Sequence, residues 1–304
     1  MIIRSERPQD YAFIADILVR AFEDRADEAL ITALGRQRSQ FDPELALVAE
    51  DEGQVIGYAL FNSASIRLLG QTVRAVNLGP IAVDPNVQKK GVGAALIEQG
   101  HTLARAKGYA LCYLLGHPTY YPRFGYLTNA FGACAFKVHT RDLPSSDLDT
   151  RKPLPADLPV LRALWEREEG AVDFAVDPGS LLIDWISPNP GITSSVYLCD
   201  GEVVGYTRIH RDELFSPGVF FARDHEIARK MAQHIGRGNP LDLPLHPASA
   251  SAGAFPDARV ETKTWEPAMV YPFAPSPFDE YYRQLEAGTR APGRPIWHVM
   301  FEIA

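Results

Sequence analysis

The chain has 304 residues, 46% of them hydrophobic and 22% charged, which fits a globular protein of about two domains and excludes wholesale disorder. Residues 1–140 hold 14 Lys and Arg against 14 Asp and Glu, and residues 141–304 hold 16 against 24, so the net charge of −8 comes wholly from the second half. No basic stripe speaks for a nucleic acid, and no apolar run approaches the roughly 18 residues that a bilayer requires.

From the N-terminus, Pro8-Gln9-Asp10 opens a helix over 8–22, in which Phe13, Ile14, Ile17, Leu18 and Phe22 recur at helical spacing. A second helical stretch is expected near 28–34. Strands follow over 46–50 and 54–61, joined by an acidic-Gly turn at Gly53, and a third strand covers 73–83. Pro80 lacks a ladder donor, so it implies a bulge or an edge there. A helix over 91–107, a strand over 109–115, a short helix near 118–124 and a strand near 132–138 complete an α+β unit with a mixed sheet. The stretch Thr140–Pro155, rich in Pro, Ser and Asp, reads as a linker. The expected domains are 1–142 and 155–304, with 143–154 between them.

Beyond the linker the opening elements return. Pro155-Ala156-Asp157 leads Leu158, Leu161, Leu164 and Trp165, displaced by 147 positions from Pro8-Gln9-Asp10. Gly201-Glu202-Val203-Val204-Gly205-Tyr206 matches Gly53-Gln54-Val55-Ile56-Gly57-Tyr58 at a displacement of 148. Two echoes at nearly one offset predict a duplicated unit. A strand over 217–222, a helix over 224–236, a Pro-rich stretch at 239–244 and a final strand over 296–303 follow.

The chemistry concentrates at two motifs. In Val83-Asp84-Pro85-Asn86-Val87-Gln88-Lys89-Lys90-Gly91-Val92-Gly93-Ala94, a strand turns into a helix through a glycine pair. The glycines permit close backbone approach, and the helix N-terminus offers unpaired N–H groups and a positive dipole end to a pyrophosphate. A P-loop would need Lys-Ser/Thr where Ala94-Ala95 stand, and a dinucleotide fingerprint would need glycine at Leu96. The stretch resembles the acyl-CoA signature of the GCN5-related N-acetyltransferase superfamily, Gln/Arg-x-x-Gly-x-Gly/Ala, as Gln88-Lys89-Lys90-Gly91-Val92-Gly93. That resemblance implies a mixed, splayed central sheet flanked by helices, with Ile81, Ala82 and Val83 on the pantetheine arm. It also implies Gln88, Lys89, Lys90, Gly91, Val92, Gly93 and Ala94 around the pyrophosphate.

The second motif, Gly116-His117-Pro118-Thr119-Tyr120-Tyr121-Pro122-Arg123-Phe124-Gly125-Tyr126, resembles the Tyr-Tyr-x-Arg-Phe-Gly-Phe segment of a bacterial branch of that superfamily. Tyr121 falls on the family's frequent general acid, a phenol able to give a proton to a departing thiolate. Tyr120, Phe124 and Tyr126 read as core aromatics. The general base stays open between Glu23, Asp24, His117 and a water chain. Cys112, in an apolar strand, reads as buried and inert.

The resemblance thus implies acetyl transfer from acetyl-CoA to a primary amine by direct attack in a ternary complex. The rival reading is a non-catalytic acyl-CoA sensor, which binds without turnover. The second half offers Ala222-Arg223-Asp224-His225-Glu226 where a glycine pair would stand, so a degenerate partner unit is expected. In layout the chain resembles tandem proteins of the enhanced-survival, aminoglycoside-modifying type, without room for their third domain. The acceptor is expected to be a small-molecule or peptide amine, with cationic amines favoured by the acidic half. No nucleic acid, membrane or metal is expected: His225-Glu226-Ile227-Ala228-Arg229 lacks the second His of a zinc helix. Three widely spaced cysteines suit a reducing cytoplasm, and the oligomeric state is open.

Overall fold

Strict alternation along residues 46–61 puts Ala46, Val48, Tyr58 and Leu60 on one face of a sheet and Leu47, Ala49, Ala59 and Phe61 on the other. A computed structural model, describing residues 1–303, shows the helices that cover those faces. In chain order the first half holds β1 (Ile2–Ser5), α1 (Tyr11–Ala21), α2 (Asp27–Gly35), β2 (Ala46–Asp51), β3 (Gln54–Leu68) and β4 (Gln71–Val83). It continues with α3 (Val92–Ala106), β5 (Leu111–Leu115), a 3-10 turn at Tyr121–Phe124 and β6 (Gly132–His139). Helix α1 packs Ile14, Ile17 and Leu18 on the Tyr58 face, and α3 packs Val92, Leu96 and Ile97 on the Phe61 face.

The second half holds β7 (Asp149–Arg151), α4 (Leu158–Glu169), β8 (Ile192–Cys199), β9 (Glu202–His210), β10 (Val219–Ala222) and α5 (His225–Gly236). Strands β11 (Pro240–Leu243), β12 (Arg259–Thr264) and β13 (Ala268–Pro272), helix α6 (Pro277–Glu286) and a 3-10 helix at Val299–Ile303 follow.

The echoes in the sequence are structural. Arg4 holds Asp10 through two bonds of 2.7 and 3.0 Å, and Arg151 holds Asp157 through two of 2.6 and 2.9 Å, 147 positions on. Asp10 also accepts from the Arg7 amide, and Asp157 from the Leu154 amide, each at 2.7 Å. The β2–β3 register shifts at Ala49/Glu50 and the β8–β9 register at Tyr197/Leu198, again 148 apart. Both halves therefore carry the same strand–helix–hairpin unit.

The two units exchange strands. One sheet runs β1-β2-β3-β4-β5-β13, a second β10-β9-β8-β7, and a third β11-β6-β12. Strand β6, which follows β5 in sequence, leaves for β11 and β12 of the second half, and β13 from the far end of the chain takes the place beside β5. The chain boundary at 142 and 155 thus does not coincide with the boundary between sheets.

Several expected elements differ in detail. The strand read over 54–61 extends to Leu68, because Ala64, Ile66 and Leu68 continue the alternation and pack on Phe174 and Val176 of the second half. The stretch read as a linker contains β7, an edge strand on β8. The Pro-rich stretch forms β11, with Pro240 at its first position, where a missing donor matters least. Residues 296–303 form no strand, and Val299–Ile303 instead turn as a 3-10 helix against α2.

Candidate active site

Strands β4 and β5 run parallel for only three rungs, Ala75–Asn77 against Leu111–Tyr113, and then part. The side chain of Asn77, buried within an apolar strand, donates to the Tyr113 carbonyl at 3.1 Å on the last rung. Just beyond, β4 bulges: Phe61 faces Leu78, but Ala59 faces Ile81, so Gly79 and Pro80 together oppose one residue of β3. The Asn62 amide donates to the Gly79 carbonyl at 2.6 Å and holds the bulge from the α1–α2 side. Past it, Ile81 and Val83 turn their side chains toward α3, and Ala82 turns toward α1. Among the described residues no strand pairs with the β4 edge over Ile81–Val83 on the β5 side, and the gap where the two strands part forms a cleft.

That cleft leads to the N-terminus of α3. Gly91 caps the helix at a φ of +86°, a conformation costly for any residue with a Cβ. The amides that follow, at Val92, Gly93 and Ala94, begin the helix and lack intrahelical acceptors. Lys89 and Lys90 are exposed beside them, and the Gln88 amide donates back to the Val83 carbonyl at 3.3 Å. Asp84, the nearest acid in sequence, is engaged with Arg20 of α1 at 3.0 Å, which holds its carboxyl below the usual range. A Cβ on Gly93 would lie 2.9 Å from the Tyr120 hydroxyl, so a larger residue there would have to shift that ring. The corresponding turn of the second half is closed to an anion by its own side chain: Asp224 caps α5 by accepting from the Ile227 amide at 2.9 Å.

Tyr121 lies in the 3-10 turn after β5, its ring against Gly116, where a Cβ would come within 2.2 Å of it. It meets Tyr120 edge-on at 5.2 Å and Tyr126 at 5.7 Å between ring centroids. Burial, with Tyr120 and Cys112 adding to it, pushes its phenol up to about 12. Cys112 beside it is wholly buried, accepts from the Tyr126 hydroxyl at 3.1 Å and has its thiol pushed up to about 12, chiefly by burial. Such a thiol is no nucleophile near neutrality. Tyr126 also bonds His101 of α3 at 2.8 Å, and His101 stacks on Tyr271 of β13 at 4.2 Å.

The candidate bases lie at the surface. His117 is exposed, and its carbonyl accepts from the Tyr120 amide at 3.0 Å. Glu23 and Asp24 sit on the exposed turn between α1 and α2, both with positive φ, at 57° and 59°. Among the described residues neither carboxylate pairs with a group of the cleft. Asn62, Asn77 and the Tyr120 hydroxyl are site residues that the sequence did not single out. Two asparagines inside apolar runs were the available signal.

Comparison with known proteins agrees with this geometry. The model of the acetyltransferase (GNAT) domain matches residues 3–128, from β1 through the Tyr121 turn. The Escherichia coli K12 protein described as the uncharacterized N-acetyltransferase YhbS is 37% identical over 127 residues, 41% of this chain and 73% of that protein. A GNAT family acetyltransferase from Brucella melitensis, solved in complex with acetyl-CoA, is 36% identical over 41% of this chain and 82% of its own, with a TM-score of 0.38. A GCN5-related N-acetyltransferase from Anabaena variabilis is only 14% identical, yet it matches 90% of this chain and 73% of its own with a TM-score of 0.69, so the likeness of fold takes in the second half. The chain belongs to the GCN5-related N-acetyltransferase family.

Proposed function

We propose that the chain is an acetyl-CoA-dependent N-acetyltransferase acting on a primary amine by direct attack in a ternary complex. The observation that carries the reading is the parting of β4 and β5 onto the glycine-capped N-terminus of α3. The pantetheine arm lies along Ile81, Ala82 and Val83, whose free strand edge takes the place of a missing neighbour strand. The pyrophosphate sits on the Gln88–Ala94 turn, against the amides of Val92, Gly93 and Ala94, with Lys89 and Lys90 neutralising its charge. These are backbone donors fixed before the ligand arrives, so binding needs little reorganisation.

In the reaction the amine nitrogen bonds to the thioester carbonyl carbon, the carbon–sulfur bond breaks, and the sulfur leaves with its electron pair. Tyr121 is the acid for that sulfur. A phenol at about 12 keeps its proton throughout the neutral range. It stabilises the developing thiolate by a hydrogen bond and passes its proton to the sulfur only as water returns one to the phenol, because a thiol of ordinary acidity is the stronger acid of the two. The proton lost by the amine goes to water, with His117 the nearest of the candidate bases in sequence. Glu23, on the exposed turn after α1, is the other candidate.

Calorimetric titration with acetyl-CoA, on the wild type and on Gly91→Glu, tests the cradle. Binding in the micromolar range that is lost in a variant of unchanged melting temperature supports it. No binding by the wild type at near-millimolar ligand would reduce the glycine pair to a helix cap. Release of CoA on addition of an amine then separates an enzyme from a sensor.

A further inference from the structure

On the sheet face opposite α3, a cavity of about 310 Å³ opens between three parts of the chain. Leu34 and Arg38 come from α2 and the turn after it, the 182–188 segment from the second half, and Val299 and Met300 from the C-terminal 3-10 helix. Among the described residues its only charged lining groups are Arg38 and Asp184, which face each other at 3.6 Å with both side chains buried. The remaining lining is dominated by Leu34, Leu182, Ile183, Ile186, Val299 and Met300. Leu30, one helical turn before Leu34, and Leu181 are left exposed near it.

The cavity adjoins the bulge of β4. A Cβ on Gly35 of α2 would lie 3.4 Å from Asn62 Oδ1 and 3.6 Å from Met300 Sδ, and Asn62 is the residue that holds the Gly79 carbonyl. The Phe301 ring comes within 4.0 Å of the Cβ position of Gly79 itself. Met300, Phe301 and Asn62 therefore connect the cavity wall to the bulge of the splayed strand, on the side away from the cradle at α3.

Resting on the acetyl-transfer reading, we infer that this cavity seats the acceptor, and that the acceptor is a primary amine on an apolar alkyl or aryl body. A polyamine or aminosugar would need several carboxylates, and the lining has one, already engaged by Arg38. Of the acidic residues of the second half, Asp184 alone lines this cavity among the described residues. The volume is at the small end for ligand pockets and suits a body of one ring or a short chain. Apolar walls also favour the uncharged form of the amine, because desolvation penalises the ammonium. That is the form that attacks, and a site of this kind has less need of a dedicated base.

The test measures acetyl-CoA turnover, as thiol released, with n-alkylamines from propyl to octyl, phenethylamine and spermidine. The expected result is a kcat/KM that rises about fourfold per methylene until the cavity is full, with spermidine well below the longer amines. Ile186→Asp, at a position already part-exposed, is expected to flatten that dependence with acetyl-CoA binding unchanged, and Ile186→Val to keep it. A flat series, a preference for spermidine, or no turnover of any of these amines by protein that binds acetyl-CoA overturns the inference and leaves the cofactor cradle standing. Failure to bind acetyl-CoA overturns the acetyl-transfer reading, and this inference with it.

Discussion

Asn77 donates its side-chain amide to the Tyr113 carbonyl at the last rung shared by β4 and β5. It pins the two strands where the ladder stops, so the width of the cleft is set at a residue outside both sequence motifs. Asn77→Leu keeps the volume and removes the side-chain donor to the Tyr113 carbonyl. The expected loss is about 1–3 kcal/mol in urea unfolding, with weaker acetyl-CoA binding. An unchanged unfolding midpoint and affinity would show that the strands part without this tie.

Gly93 and Tyr120 should behave as a pair. Gly93→Ala puts a Cβ 2.9 Å from the phenol oxygen, and the expected cost is about 1 kcal/mol together with a weaker acetyl-CoA titration. Tyr120→Phe removes the oxygen and should return most of that loss in the double variant. Simple additivity in this cycle would mean that the two groups do not constrain each other.

For Tyr121→Phe the prediction is a fall in kcat of about a hundredfold or more, with the acetyl-CoA dissociation constant unchanged. Because the phenol is pushed up to about 12, the kcat–pH profile should show no falling limb from this residue in the weakly alkaline range. Equal losses in kcat and in acetyl-CoA affinity would mark Tyr121 as a packing residue of the cleft wall.

Glu168 gives a pH signature unrelated to catalysis. The side chain is wholly buried in α4, accepting from the Ser251 amide at 3.0 Å and its hydroxyl at 2.8 Å. Burial pushes its carboxyl up to about 7; Glu169 adds to the rise, while Ser251 and Arg167 oppose it. The folded protein thus holds a proton that the unfolded chain loses near its ordinary value of 4.5. By linkage, this group's contribution to stability is fully present below that value and is lost as pH rises toward 7. Glu168→Gln should therefore gain on the wild type as pH rises through that window and level off above it, measured as the difference in melting temperature. A pH-independent difference would show that Glu168 titrates alike in both states.

Periodicity made the first unit legible almost residue by residue, since its helices and strands are amphipathic and its turns carry Gly, Pro or Asp. The bulge at Pro80 followed from a missing donor, and the two Arg–Asp brackets lay behind the echo at 147 positions. What stayed hidden depends on partners distant in sequence. Nothing in Gly132–His139 says that its neighbours are β11 and β12, because any edge strand of matching alternation would satisfy its hydrogen bonds. The 296–303 segment, with Trp297, Val299 and Met300, has the composition of a strand, but its Val299–Ile303 part is held as a 3-10 helix by packing on α2. Likewise the cradle was readable as a local motif, whereas the cavity at Arg38 and Asp184 joins residues from two units and has no local signature.

The exchange of β6 and β13 has a consequence for synthesis. The edge of β5 that receives β13 leaves the ribosome 157 residues before its partner, as Leu111 and Ala268 open the two strands, which is roughly 8 to 30 s at ordinary elongation rates. Throughout that interval the nascent first sheet presents an unpaired strand edge, the usual template for association with another chain. Vectorial folding therefore cannot finish the first sheet until residue 272 has left the ribosome. A chain cut after residue 142 would be a sheet lacking its closing strand, with β6 as a second strand without a sheet, and so unlike a free-standing enzyme.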